Sequence, residues 1–308
     1  RNKIILIILI LLAVNFIYAK DILISFDGSG YFDVWQETLD YAKANNVKFT
    51  YFVSAPYFIS GMDMFCNTYW AETEIGPPLL KIIEAKYYAS VTKRRNYAFR
   101  AIAEGHEIAS HLCGHYNGRN WTYGQWMKEF EFFEWAMTTA GFKKEQIMGV
   151  RAPYLAVNDD YFKALIANGY LYDSSCGRLQ KCPDDGKYVE VPIKSMKVIT
   201  NYTIMNGTKY VIPFDDAFER EIANQIEWLE MEEYRDKSME DIYFDSLCND
   251  YLNSPYPTQI CLHFEKPRQD SVLNIYWAAT KRFIEWVRDK DPQYKTYFEY
   301  AVKKGDIL

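Results

Sequence analysis

Basic charge is in short supply: 35 Lys and Arg stand against 41 Asp and Glu, a net charge of −6. A nucleic-acid binder that relies on a basic field needs the opposite balance, so that class is excluded. The six cysteines include no Cys-x-x-Cys pair, which argues against a thiolate zinc site. Histidine is rare, with four in 308 residues, so two at ligand spacing carry weight. Internal repeats, low-complexity tracts and Gly/Pro-rich linkers are missing, and one domain is expected over residues 20–308. Beyond the N-terminus, charges interrupt every apolar run within a few residues, so no later stretch reads as membrane-spanning.

What is abundant is aromatic: 26 Tyr, 19 Phe and 8 Trp make 17% of the chain. Aromatic faces can stack on sugars, but most of these rings are expected to pack a core. Arg1 and Lys3 precede an apolar run from Ile4 to Val14, and Phe16 to Ala19 follow. This pattern is expected to be a signal peptide over residues 1–19, with an uncleaved anchor as the alternative. The apolar stretch is short of the ~20 residues that span a bilayer. Export would permit disulfides. Cys176 and Cys182 are near enough in sequence to pair, whereas Cys113 and Cys261 also read as plain buried thiols.

Strand-like and helix-like segments alternate. Asp21–Phe26, Lys48–Ala55, His106–Ser110, Ile147–Val150, Tyr170–Asp173 and Ile260–His263 read as strands. Phe32–Asn45, Tyr97–Glu104, Thr122–Ala140, Asn158–Asn168 and Val272–Asp289 read as helices, two of them opened by Thr122 and Asn158 caps. The alternation predicts parallel strands in an α/β barrel or open sheet. Tyr57–Arg95 reads as a rim insertion. Asp215–Asp245, with twelve acidic and three basic residues, reads as a solvated helical face.

Polar residues sit just after several strands: Asp27, His111, Arg151, Asp173 and His263. In parallel folds those ends open on one face, where active sites assemble, so the pattern points to an enzyme. His111 and His115 are four apart, which on a helical turn would let both imidazoles reach one ion; the bland alternative is two incidental surface histidines. Asp27, ahead of Gly28-Ser29-Gly30, suits a general base, a metal ligand or a turn cap. Arg151 suits a partner for a buried carboxylate such as Asp27, and Pro153 stiffens its loop. His263 ends an apolar strand, where a lone histidine is commonly a core residue; it becomes a general acid only if the strand ends converge.

Taken in order, these pieces resemble the polysaccharide deacetylases of carbohydrate esterase family 4. Ser25-Phe26-Asp27-Gly28 resembles that family's Thr-Phe-Asp-Asp motif, and Ser110-His111-Leu112-Cys113-Gly114-His115 its His-Ser/Thr-x-x-His motif. Gly149-Val150-Arg151-Ala152-Pro153-Tyr154 is similar to the Arg-x-Pro-Tyr motif, and Leu262-His263 to the Leu-His motif. Tyr172-Asp173-Ser174-Ser175 resembles a further recurrent strand. The resemblance implies a distorted (β/α) barrel of about seven repeats and metal-dependent N-deacetylation of a glycan, peptidoglycan or a chitin-like polymer. It implies no obligate protein partner. Asp27 would be the base, positioned by Arg151. His111 and His115 would bind a divalent ion, zinc. The Tyr154 N–H would bind the oxyanion, and His263 would protonate the leaving amine. Tyr116 and Trp121 lie just beyond the histidines, so at least one is expected to line the sugar site, with Pro153, and Asp215 is a candidate to orient His263.

One position departs from the pattern: Gly28 stands where the family carries a second Asp, its usual third metal ligand. Ser29, Asp33, Asn117 or a shifted Asp27 are the available substitutes. The departure opens an alternative, a catalytically silent carbohydrate-binding relative.

Overall fold

The computed structural model describes residues 19–59, 91–175, 197–198, 203–205, 208–210, 236–264 and 274–302. All but the last residue of the expected signal peptide, the Cys176–Cys182 pair, Asp215 and most of the rim insertion lie outside them.

The strands are β1 (Asp21–Asp27), β2 (Thr50–Val53), β3 (Glu107–Ser110), β4 (Gly149–Val150), β5 (Tyr172–Asp173), β6 (Lys197–Val198), β7 (Thr203–Met205), β8 (Thr208–Tyr210), β9 (Thr258–His263) and β10 (Gln293–Lys295). The helices are α1 (Phe32–Asn45), α2 (Val91–Ala103), α3 (Tyr123–Thr139), α4 (Asp159–Ala167), α5 (Met239–Asn253), α6 (Asn274–Val287) and α7 (Tyr297–Val302). β9, β1, β2, β3, β4, β5 and β6 pair in that order, all parallel, into a curled sheet that forms a half-barrel. β10 also pairs parallel with the start of β1, at Asp21–Leu23. Among the described residues only the β7–β8 hairpin is antiparallel. The expected parallel α/β barrel is therefore the fold.

Strand parity sorts the side chains. Ile22, Ile24 and Phe26 of β1 face outward into the main core, with Tyr51, Val53, Ile108, Ile260 and Leu262 from the neighbouring strands. Helix stripes cover that face: Trp35 and Leu39 from α1, Phe133 and Met137 from α3, Trp277 and Phe283 from α6. The Phe26 ring lies 5.2–6.4 Å from Phe49, Tyr51, Phe264 and Trp277. Much of the aromatic excess thus packs the core, as the composition suggested.

The caps occur as read. The Thr122 hydroxyl accepts the Gln125 N–H while the Gln125 side chain accepts the Thr122 N–H, and the Asn158 carboxamide accepts the Tyr161 N–H. One helix boundary is corrected. α2 begins at Val91, not Tyr97, because the buried Arg94 lies on its inner stripe with Val91, Ala98 and Ala101 and blurs the apolar period. β10 and α7 extend the fold past Asp289, where the sequence shows no period long enough to read. Cys113 and Cys261 are the plain buried thiols that the sequence offered as one reading. At the end of the acidic stretch, Arg282 pairs with Glu240 at 2.7 Å and Asp241 at 3.0 Å, and Lys237 with Asp245 at 2.6 Å. Exposed pairs of this kind contribute little stability, in keeping with a solvated face.

Candidate active site

The inward parity of the strands builds the site. Ser25 and Asp27 of β1 align with Thr50 and Phe52 of β2 on one side and with Cys261 and His263 of β9 on the other. Asp27 and His263 are direct register partners, and the Phe264 N–H donates to the Asp27 carbonyl at 2.9 Å. The strand ends do converge, which is the condition on which His263 counted as more than a core residue.

Arg151, just past β4, is fully buried. Its N–H donates to the Ser110 carbonyl at 2.8 Å. Nη1 donates to Asp27 Oδ1 at 2.6 Å and to Ser25 Oγ at 2.9 Å, and Nη2 donates to Ser174 Oγ at 2.9 Å. The Phe52 ring lies 4.0 Å from the guanidinium carbon. With this many partners the guanidinium has one available orientation, and it fixes the Asp27 carboxylate at the strand ends. Burial alone would raise the Asp27 carboxyl. Arg151, with His111 and His263 behind it, outweighs burial and holds Asp27 below the usual carboxylate range.

The two ligand-spaced histidines come together by a route other than the helical turn expected. His111 follows β3 and its N–H donates to the Val53 carbonyl at 2.8 Å. The chain then turns through left-handed backbone at Leu112 (φ 60°) and His115 (φ 52°). This turn sets the rings edge to face, 5.2 Å between centroids. His111 Nδ1 lies 2.8 Å from the Arg151 carbonyl oxygen. A carbonyl only accepts, so Nδ1 carries the proton and Nε2 keeps its lone pair, an arrangement typical of metal-binding imidazoles. Burial lowers the His111 imidazole below its ordinary value, and Asp27 opposes the shift. Burial, then the neighbouring His111 and His263, lowers His115 to about 3. Both rings are therefore neutral near pH 7, as metal ligands must be.

Two neutral imidazoles fit a divalent cation as part of its ligand set. Among the described residues, no group of three His, Cys, Asp or Glu completes that set. Ser29 is buried, with its hydroxyl 3.5 Å from the Ser54 carbonyl oxygen. Asp33 is exposed on α1, and the exposed Asn117 accepts the Arg119 N–H. Asp27 is held by Arg151. Gly28 itself turns the chain with φ +91°, a conformation that favours glycine.

Pro153 is buried and opens a single 3₁₀ turn, Pro153–Leu155. Within it Tyr154 has φ 57°, and its ring is 53% exposed, 5.0 Å from the His115 ring. The Leu155 and Ala156 N–H groups close this turn onto Ala152 and Pro153; the Tyr154 N–H is not used in that closure. Tyr116 and Trp121 are half-buried, and the Tyr116 ring lies over Gly114 of the histidine turn. Trp121 packs on the buried Trp126 at 4.8 Å and on Tyr116 at 5.6 Å, so it joins Tyr116 to a core aromatic row.

Several partners escaped the sequence reading. Ser25 and Ser174 hold Arg151, and Arg94 of α2 donates to the Gly30 carbonyl after Asp27. Glu129 of α3 is buried and accepts the Cys113 and Gly114 N–H groups, each at 2.8 Å. Burial pushes its carboxyl up to about 7, with the two N–H donors pulling the other way. A signal was available: Glu129 falls on the apolar stripe Trp126, Phe130, Phe133, where a carboxylate needs a reason to be.

A parallel half-barrel with a buried acid–arginine pair and imidazoles at its strand ends has the makings of a hydrolytic active site. The chain belongs to the polysaccharide deacetylase family, whose profile matches residues 18–172, half of the sequence. No curated protein sequence matches it significantly. Solved structures of similar fold include a protein from Mycobacterium smegmatis assigned as a polysaccharide deacetylase, at 15% identity and TM-score 0.57, covering 96% of this chain and 94% of that one. A peptidoglycan deacetylase from Bacillus subtilis aligns at 13% identity and TM-score 0.50, over 94% of both chains. A carbohydrate esterase family 4 pseudoenzyme from Bacillus anthracis aligns at 9% identity and TM-score 0.51, over 92% of this chain and 66% of that one. At these identities the likenesses establish the fold. They include active deacetylases and pseudoenzymes alike. No helix among the described residues is long and apolar enough to cross a membrane.

Proposed function

We propose that this chain is an exported, metal-dependent N-deacetylase. It removes acetyl groups from N-acetylglucosamine-type residues of peptidoglycan or a chitin-like polymer. The observation that carries the reading is the buried Asp27–Arg151 pair, in register with His263 and beside two neutral imidazoles.

Amide hydrolysis adds water across the C–N bond and yields acetate and a free amine. Asp27, kept ionised by Arg151, takes a proton from the attacking water. The Tyr154 N–H donates to the oxygen of the tetrahedral intermediate, a contact of the kind worth ~3–4 kcal/mol. His263 gives a proton to the departing nitrogen, so that an amine rather than an amide anion leaves. His111 and His115 would hold a divalent ion, zinc, which when bound polarises the acetyl carbonyl and acidifies water. Pro153 fixes the loop that carries Tyr154. Tyr116 and Trp121 belong to the sugar-binding rim.

A second reading is favoured by Gly28 and by the absence of a third ligand among the described residues. It is a family member that holds glycan without turnover. Acetate release from peptidoglycan and from chitooligosaccharides, with zinc supplied, separates the two. The enzyme reading expects release by the wild type and a ~10²–10⁴-fold lower kcat in His263→Gln, with KM and melting temperature nearly unchanged. No acetate from either polymer, with glycan binding intact, establishes the silent relative.

A further inference from the structure

The turn that joins the two imidazoles is unusual in what it demands of the backbone. Leu112 and His115 both occupy left-handed backbone, which costs a non-glycine residue conformational energy. Between them, Gly114 is covered by a ring: a Cβ there would lie 2.0 Å from the Tyr116 ring and would have to displace it. Such a turn persists only if something outside it holds it. The Cys113 and Gly114 N–H groups point the same way, and both end on one oxygen, Glu129 Oε1. The other oxygen, Oε2, has no hydrogen-bond partner among the described residues. Glu129 is 1% exposed, nearly two turns from the capped start of α3 and flanked on its stripe by Trp126, Phe130 and Phe133. A carboxyl is placed in that apolar setting at a cost, and the two turn amides are the groups it serves.

We propose that Glu129 is a positioning residue for the His111–His115 pair, clamping the left-handed turn through the Cys113 and Gly114 N–H groups so that both imidazoles face one ion. The inference rests on the metal-site reading above for its function, and on the hydrogen bonds alone for the clamp. What the clamp supplies is acceptor geometry. Glutamine offers the same oxygen at the same reach, and leucine fills the space without it.

Two variants and two readouts test this. Amide exchange at Cys113 and Gly114, followed by NMR without metal, reports the clamp. Cobalt(II) affinity, followed by its visible absorption, reports the imidazole pair. Glu129→Gln is expected to keep slow exchange and near-wild-type cobalt affinity. Glu129→Leu is expected to release both amides and to weaken cobalt ~10–100-fold, the range for loss of an outer-shell partner. Rescue by glutamine is what a merely space-filling role would not predict. The clamp is overturned if Glu129→Leu matches the wild type in both readouts, or if Glu129→Gln is as damaging as leucine. Should Glu129→Leu not fold, the wild type decides: fast-exchanging Cys113 and Gly114 amides overturn the clamp, and slow exchange retained in Glu129→Gln supports it. A wild type that binds no cobalt overturns the metal-site reading, and the exchange pattern then judges the clamp separately.

Discussion

Gly28 carries two meanings at once. As a letter in the sequence it is a missing carboxylate, and a dication held by two neutral imidazoles lacks a charged ligand. In the structure it is also a backbone requirement, because φ is +91° there. A Cβ at Gly28 would meet only the Phe264 Cβ, at 3.6 Å, so space is not the obstacle. Gly28→Asp is therefore expected to do two things. It adds an oxygen that can reach zinc at ~2.0–2.2 Å and tightens metal binding. It also costs the metal-free protein ~1–2 kcal/mol of backbone strain. Chelator competition and urea unfolding measure the two effects separately, and an unchanged chelator midpoint rejects the weak-site explanation. The histidines teach a related lesson. Their spacing was visible in the sequence, but the turn that joins them is left-handed and helped by Glu129, sixteen residues beyond Cys113.

Elements at the end of the chain complete the barrel floor. α7 begins at Tyr297, whose N–H donates to Thr50 Oγ1 at 2.9 Å and whose hydroxyl donates to Gln259 Oε1 at 3.1 Å. The next N–H, from Phe298, reaches Glu107 Oε2 at 3.0 Å, and Tyr172 and Thr50 supply further donors to that carboxylate. The Tyr297 ring lies 5.2 Å from the Arg151 guanidinium, so the floor supports the site from below. Tyr297→Ala is expected to cost ~3–5 kcal/mol, the range for removing a large buried aromatic ring. A loss under ~1 kcal/mol in urea titration would show that the floor collapses to fill the gap. This element was illegible in sequence because β10 has three residues and α7 six, too few for a period to emerge. α3 and α4 were legible because their caps are local, each a side chain bonded to a backbone N–H three residues on.

The whole molecule responds to acid at both ends of the barrel. His106, just before β3, is lowered to about 4, chiefly by burial, and its Nδ1 accepts the Phe49 N–H at 3.0 Å. His115 at the other end is lowered to about 3. Below about pH 6.5 the unfolded chain protonates these rings and the folded chain does not, so the unfolded state binds more protons. Their contribution to stability is thus complete above pH 6.5 and is lost as pH falls toward the folded values. Glu129, raised to about 7, acts in the opposite sense between pH 4.5 and 7. A difference experiment isolates one ring. Between pH 4.5 and 6, stability should rise less steeply with pH in His106→Gln than in wild type, by up to ~1.4 kcal/mol per pH unit. Equal slopes in urea unfolding would mean that His106 titrates normally in the folded protein.

By itself the sequence determined the parallel α/β class, the family, the two helix caps and the strand-end residues Asp27, His111, Arg151 and His263. These are carried by local patterns: a short apolar run, a capping spacing, a motif of a few adjacent residues. Tertiary structure alone decided that Asp27 meets Arg151, that His263 aligns with Asp27, that Ser25 and Ser174 hold the guanidinium and that Glu129 grips the histidine turn. The reason is parity and register. A strand's alternate side chains face opposite sides of the sheet, and a slip of one residue would send Asp27 outward and Phe26 inward. Which side is the interior, and which distant strand lies opposite, is settled only when the sheet curls and the helices bury its outer face.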